Sequence, residues 1–476
     1  MTNHQQVDFD DNVSRALNDT QLIKNIKAAM ATLVSKRKAI FSDETETEQL
    51  RTLGNALKKK ALSKLPQLLE QLEEKCSRNG IKVHWAETTS EANHQVLEIM
   101  RSHGATRLVK GKSMVSEEME LNAFLKKNGI EALETDLGEF IIQLNNEKPA
   151  HIIVPAIHKN KDQISKIFHE KIPSTPYTED VAELTAMARK TLRKKFYEAE
   201  VGLSGVNFAV AETGTLCLVE NEGNGRMCTT VPGVHIALMG LEKVVERLED
   251  LPPLLRLLTG SATGQLITTY VNMITTARKQ GEKDGPKEVH LIILDNGRSQ
   301  IFADPDRRQT LQCIRCGTCL SHCPVYNRIG GHAYGYTYPG PIGKILNPQI
   351  EGLKAAGVLA TASSLCNSCE EVCPVKIQIP DLIRRIRNES YSKDPASTLA
   401  GHGYKRNLLE TMTWKVWEKI NTYPVINAAG LKILSVLRIK LPNIGPLKNW
   451  TRYRATPELA PKSLHELVKH HGVDHE

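Results

Sequence analysis

The run Cys313-Ile-Arg-Cys316-Gly-Thr-Cys319-Leu-Ser-His-Cys323-Pro324 constrains this chain more than any other feature. Its C-x2-C-x2-C-x3-C-P spacing is that of bacterial two-cluster ferredoxins. The tight spacings let one turn of backbone aim three thiolates at one cubane, while the fourth cysteine, one residue further on and followed by Pro, points away and ligates the other cluster. A second run, Cys366-Asn-Ser-Cys369-Glu-Glu-Val-Cys373-Pro374, matches the last three cysteines of the same pattern. The crossing rule assigns Cys313, Cys316, Cys319 and Cys373 to one complete site and leaves Cys323, Cys366 and Cys369 for the other. The fourth place of that second site, three before Cys366, is Ser363. A serine hydroxyl is a harder and far poorer iron ligand than a thiolate, because its proton leaves at a much higher pKa. The second cluster is therefore either 4Fe-4S with a serine, water or outside ligand on one iron, or 3Fe-4S. Cys217 and Cys228 are further thiols for the vacant corner, although free cysteine is more often simply buried. Zinc also takes four thiolates, but it usually pairs two separate C-x2-C knuckles and needs neither the third cysteine nor the C-P ending.

Seven of the ten cysteines lie between Cys313 and Cys373, and in a reducing compartment such clustering points to metal ligation before disulfides. The polar, acidic N-terminus carries no secretory pattern, and no apolar run reaches the ~20 residues that span a bilayer. The expected location is the cytoplasm. With 62 Lys and Arg against 54 Asp and Glu in 476 residues, the charge does not suit a nucleic-acid binder. The excess is concentrated after Gly401, where 12 basic residues face 6 acidic ones.

The length predicts several domains. Residues 1–80 read as a helical segment dominated by two long helices, with Leu22, Ile23, Ile26, Met30 and Leu33 at helical spacing. Residues 81–300 alternate short β-rich runs with helices, which argues an α/β domain with a largely parallel sheet. The expected strands are Lys82–Trp85, Arg107–Lys110, His151–Val154, Leu216–Glu220, His235–Met239 and Val289–Leu294, with a capping-box-like Thr88 to Glu91 opening a helix. A turn at Asp295, Asn296 and Gly297 closes that domain. Residues 301–392 form the cysteine module, with a helix over Ile379–Ile386, and 393–476 form a basic, helical C-terminal region containing Trp414, Trp417 and Trp450.

The Gly-, Tyr- and Pro-rich stretch from Gly330 to Pro341 is either a shield for the clusters and a contact for a redox partner, or a connecting loop. Lys110, Lys112 and Ser113, just after a strand, suit an anionic substrate at the carboxyl end of the sheet or a solvated loop. Glu134, Asp136 and Glu139 suit acid-base work or a turn. His158, after Pro155, is more often structural. Gly214 and Gly223 to Gly225 suit tight turns, and no dinucleotide, phosphate-loop or haem fingerprint is present.

Five segments, Val109-Lys-Gly-Lys-Ser-Met114, Glu134-Thr-Asp-Leu-Gly-Glu139, Val154-Pro-Ala-Ile-His-Lys159, Ala211-Glu-Thr-Gly-Thr215 and Asn224-Gly-Arg-Met-Cys228, together with the cysteine runs and basic tail, resemble the lactate utilisation protein B (LutB/YkgF) family. The resemblance implies an open α/β lactate-utilisation domain like those of sugar-phosphate isomerases and CoA transferases (NagB/RpiA type), and an α-helical ferredoxin-like module with two 4Fe-4S clusters. It implies an electron carrier acting with LutA-like and LutC-like sister proteins in oxidation of L-lactate to pyruvate, with an unknown acceptor. The alternative is a redox enzyme subunit whose α/β domain itself binds an organic acid or thioester. A scaffold or sensor that carries clusters is a third class. Residues 425–441, apolar with Lys432, Arg438 and Lys440 and ended by Pro442, are either a helix packed on the cluster module or an interfacial helix touching a membrane surface.

Overall fold

The computed structural model describes residues 8–391, 408–437 and 460–472. Residues 8–391 belong to one compact unit and the later segments to a second. Arg438, Lys440, Pro442 and Trp450 lie outside the described residues. The second unit contains helices Leu408–Thr422, Pro424–Leu437 and Leu464–His471, the last opened by a Ser463 and Glu466 capping box. No helix among the described residues is long and apolar enough to cross a membrane.

The N-terminal segment is four helices, Phe9–Asn18, Thr20–Ile40, Glu44–Ser63 and Leu65–Arg78, where two were expected. The breaks follow local chemistry. Asp19 accepts the Leu22 N–H (2.8 Å), ending one helix and capping the next, and Asp43 accepts the Glu46 N–H (2.9 Å), capping the helix that starts after the break at Phe41. Pro66 sits in the first turn of the last helix, where its missing N–H is not needed.

The strands among the described residues are β1 (Ile81–Ala86), β2 (Arg107–Lys110), β3 (Glu131–Glu134), β4 (Val201–Gly205), β5 (Phe208–Val210), β6 (Thr215–Glu220), β7 (Val234–Gly240), β8 (Val244–Val245), β9 (Tyr270–Ile274) and β10 (Glu288–Leu294). Six of them form an all-parallel sheet in the order β1-β10-β7-β4-β2-β3. Its middle strands are covered on both faces, which is why β7 and β10 read as nearly unbroken apolar runs. A smaller sheet, β8-β5-β6-β9, takes in the expected strand at Leu216–Glu220, but pairs it antiparallel with β5 and β9. β3 and β4 carried no strand signal. In β4, Gly202 is imposed by packing, since a Cβ there would stand 1.8 Å from the Cys228 carbonyl oxygen.

The segment His151–Val154, expected as a strand, is irregular. His151 Nδ1 accepts the N–H groups of Ile153 (3.0 Å) and Val154 (3.2 Å), and the Ala150 N–H donates to the Pro155 carbonyl. Those bonds use the backbone groups that a sheet neighbour would need. The segment packs on the cysteine module instead: Tyr326 Oη donates to the Ala150 carbonyl at 2.7 Å, and Gly331 lies so close that a Cβ would be 1.8 Å from the same oxygen.

A buried ionic network joins the α/β domain to the cysteine module. Arg298, inaccessible to solvent, donates to both carboxylate oxygens of Glu118 and to Glu242, each at 2.8 Å. From the cysteine module, Tyr338 Oη donates to Glu118 (2.8 Å) and Arg315 Nη2 to Glu242 (3.1 Å). Removing one partner of such a network leaves a buried charge uncompensated, so it specifies how the two parts meet.

Candidate functional site: two thiol-lined cavities

The two cysteine runs adopt the same backbone fifty residues apart. Arg315 and Leu365 are both left-handed (φ 62° and 54°), as are Gly317 and Asn367 (φ 73° and 63°). Short helices Thr318–Ser321 and Ser368–Glu371 follow at equivalent places. The Arg315 N–H donates to Cys313 Sγ at 3.4 Å, and the Leu365 N–H donates to Ser363 Oγ at 3.2 Å. Ser363 therefore occupies in the second run the place that Cys313 occupies in the first.

Folding brings the runs together in crossed fashion. One cavity is lined by Cys313, Cys316, Cys319 and Cys373, with Ile152 and Ile342 among its apolar walls. A neighbouring one is lined by Cys323, Cys366 and Cys369, with Ser363, Ser364 and Lys344. Cys316, Cys319 and Cys373 are buried, whereas Cys366 is exposed. Among the described residues no three His, Cys, Asp or Glu side chains gather closely enough for one metal ion. The thiols surround cavities instead, as thiolates do around the body of a cluster.

The electrostatics suit sulfur that gives up its proton only to metal. Burial, and then the neighbouring thiols, push Cys316 and Cys319 above the ordinary thiol range. Burial raises Cys373 to about 11, and burial with Cys323 raises Cys369 to about 12. Cys366 moves the other way: partial burial raises it, but hydrogen bonds from Ser368 and Ser364 outweigh that effect and stabilise its thiolate. N–H groups are already aimed at the other sulfurs, Tyr326 to Cys323 (3.5 Å) and Ile377 to Cys373 (3.3 Å). Such donors set the basicity of a metal-bound thiolate.

Lys344 was not singled out from the sequence. It is 1% exposed on the Gly340–Glu351 helix, donates from Nζ to Cys323 Sγ at 3.5 Å and lies 5.7 Å from the Tyr334 ring centre. The available signal was a lysine among Ile342, Ile345 and Leu346. The Gly330–Pro341 stretch is largely buried, with Tyr334 enclosed beside Cys323 and Cys319 and Tyr338 enclosed beneath Arg315. Cys76, Cys217 and Cys228 line neither thiol cavity. Burial raises all three to about 12, and Cys228 lies 3.4 Å from Thr135 Oγ1.

The polar residues singled out in the α/β domain are buried or half-buried. Lys110 is buried between Glu117 (2.9 Å) and Glu134 (2.6 Å). Asp136 caps the Leu137–Leu144 helix by accepting the Glu139 N–H, and Ser113 caps the Met114–Glu118 helix. Glu139 is buried 3.2 Å from Lys112 without hydrogen-bond alignment, and burial pushes its carboxyl up to about 8. His158 pairs with Glu147 and lies edge-on to His332.

Comparison with known proteins agrees with this architecture. Residues 69–294 match the LUD domain, 309–377 a 4Fe-4S dicluster domain, and 385–473 the C-terminal domain of lactate utilisation protein B. The chain is 39% identical over 470 residues to Lactate utilization protein B of Bacillus cytotoxicus, covering 97% of each. It is 40% identical over 467 residues to the proteins of that name in Bacillus cereus strain AH820 and Bacillus thuringiensis strain Al Hakam, again covering 97% of each chain. The chain belongs to the lactate utilization protein B family. Its α/β domain with a parallel sheet and its largely helical dicluster module are the architecture of that family, and the dicluster match supports iron-sulfur clusters as the cofactor. A solved DUF162 family protein from Deinococcus radiodurans is 13% identical, with a TM-score of 0.28, covering 48% of this chain and 98% of its own.

Proposed function

We propose that this member of the lactate utilization protein B family is an iron-sulfur electron-transfer protein that takes part in oxidation of L-lactate to pyruvate with sister proteins of the same system. The observation that carries the reading is the sorting of seven cysteines into two adjacent cavities, each drawing on both runs. Cys313, Cys316, Cys319 and Cys373 hold one 4Fe-4S cluster. Cys323, Cys366 and Cys369 hold a second, with Ser363 Oγ as a weak fourth ligand. When bound, the clusters supply one-electron transfer.

The chain's own groups do the rest. Tyr326 and Tyr334 exclude water from the thiols, and Lys344 sets a positive charge against Cys323. The exposed Leu365 and Cys366 mark the face where a redox partner meets the chain. A thiol-rich site of this kind fits the reducing cytoplasm. Anaerobic purification with iron and sulfide counts and electron paramagnetic resonance tests the reading. Two cluster signals are expected, and Cys316→Ala should remove one of them together with partner-dependent lactate oxidation. A preparation that binds only zinc and reconstitutes no iron overturns it.

A further inference from the structure

A third cavity, of about 420 Å³, lies beyond the carboxyl ends of β2, β3, β4 and β7. Its lining includes Ser113 after β2, Asp136 after β3, Asn207 after β4 and Lys243 after β7. Open parallel sheets bind small molecules at this edge, and the volume is within the usual range of ligand pockets, roughly 300 to 1,000 Å³. The cavity adjoins the first thiol set. Ile152 lines both, and Arg315, whose backbone N–H is on Cys313, also lines this cavity.

The unmatched chemistry here is cationic. Arg315 is 7% exposed; its Nη2 is used by Glu242, but its buried Nη1 has no hydrogen-bond partner. Lys243, 8% exposed, also lines the cavity, and Lys58 stands close behind, donating to the Glu242 carbonyl at 2.7 Å. The carboxylate of Glu242 already serves Arg298 and Arg315. Burial, then the nearby Arg315 charge, presses Lys243 down to about 8, against the opposing pull of Glu242 and Cys313. The remaining walls are mixed. Ile152, Leu218 and Leu258 are apolar, Lys112 stands 3.2 Å from Glu139, and Asp136, Glu220 and Glu222 are carboxylates that oppose multiply charged anions.

We infer that this cavity binds a small organic monoanion, a monocarboxylate with an apolar body, whose carboxylate is taken by Arg315 and Lys243 next to the first thiol set. The inference goes beyond electron transfer and does not depend on it, because binding is read without reference to the clusters.

The test is isothermal titration calorimetry on the full chain, purified anaerobically, with hexanoate and inorganic phosphate as probes. Hexanoate should bind one to one. Lys243→Met should weaken it about tenfold or more, as loss of a charge-assisted contact does, and phosphate should bind about tenfold less tightly than hexanoate. Glu222→Gln removes an acidic wall and should tighten hexanoate. Arg315 is left unaltered because it also belongs to the buried ionic network. Absence of hexanoate binding, phosphate binding more tightly than hexanoate, or identical affinities in native chain, Lys243→Met and Glu222→Gln would each overturn the inference. So would a Lys243→Met chain whose only change is in the cluster resonance signal, since the cations would then serve the thiol set alone.

Discussion

Replacing Lys344 by Met tests whether the second thiol cavity holds a cluster under the influence of this buried charge. The ammonium lies 3.5 Å from Cys323 Sγ, and unit charges at that distance interact by roughly 5 kcal/mol in an effective dielectric of about 20. The electron added on reduction spreads over the cluster, so its mean separation from Nζ is about twice as great and the interaction about 2.4 kcal/mol. At roughly 59 mV for each 1.4 kcal/mol in a one-electron couple, that is about 100 mV. Removing a positive charge disfavours the more negative, reduced state, so the midpoint should fall by about this amount in Lys344→Met. Methionine keeps the length and apolar stem of the lysine, and Cys323 Sγ keeps the Tyr326 N–H, so the fold and the iron content should persist. A redox titration followed by electron paramagnetic resonance resolves the two centres. The second should move and the first should move much less. A shift below about 20 mV with both clusters intact would refute the assignment of Lys344 and Cys323 to one site.

Four further variants test the same geometry. Ser363→Cys places a thiolate where Oγ now accepts the Leu365 N–H; after brief exposure to air the variant should keep about eight irons per chain, the content of two 4Fe-4S clusters, while the native chain drops toward about seven and shows a 3Fe-4S signal. Identical behaviour of the two chains would show that the fourth corner is already firmly held. Glu139, raised by burial to about 8, binds more protons folded than unfolded between about pH 4.5 and 8, so its stabilising contribution is full below that window and is lost as pH rises through it. Glu139→Gln should thus gain a few degrees in Tm over the native chain at pH 9 and little or nothing at pH 5, with an upper limit of about 5 kcal/mol, and it should leave lactate oxidation intact. Gly331→Ala would drive a methyl to 1.8 Å from the Ala150 carbonyl oxygen, and denaturant titration should show a loss of about 3 kcal/mol or more. Gly233→Ala, with open space around the added carbon, should be close to neutral by the same measurement.

Some of this protein could be read from short-range pattern. Ligand spacing within one turn of backbone is a local property, so the two cysteine runs were legible, together with the crossed grouping of their members around two cavities and the place of Ser363 in the second. The apolar runs of β7 and β10 announced a parallel sheet for the same reason, because strands covered on both faces have little alternation to lose. Local pattern misled where side chains compete with the backbone. Asp19 and Asp43 divide apparently continuous helices by capping, and His151 draws in the N–H groups of an apparent strand.

What only the tertiary structure decided is how distant segments meet. Gly202 in β4 is there because Cys228 approaches it, which no propensity scale contains. The Ala150–Pro155 segment reaches the cysteine module through Tyr326 and Gly331, more than 170 residues later. Lys344 becomes significant only once its helix turns it toward Cys323, and Arg315 and Lys243 only once β7 ends beside the first cysteine run. Each of these depends on burial, and burial is what converts an ordinary lysine or arginine into a strong local field. The sequence by itself therefore determined which thiols are grouped together, because their spacing is local. Packing decided which charges lie against those thiols and left a cavity at their side.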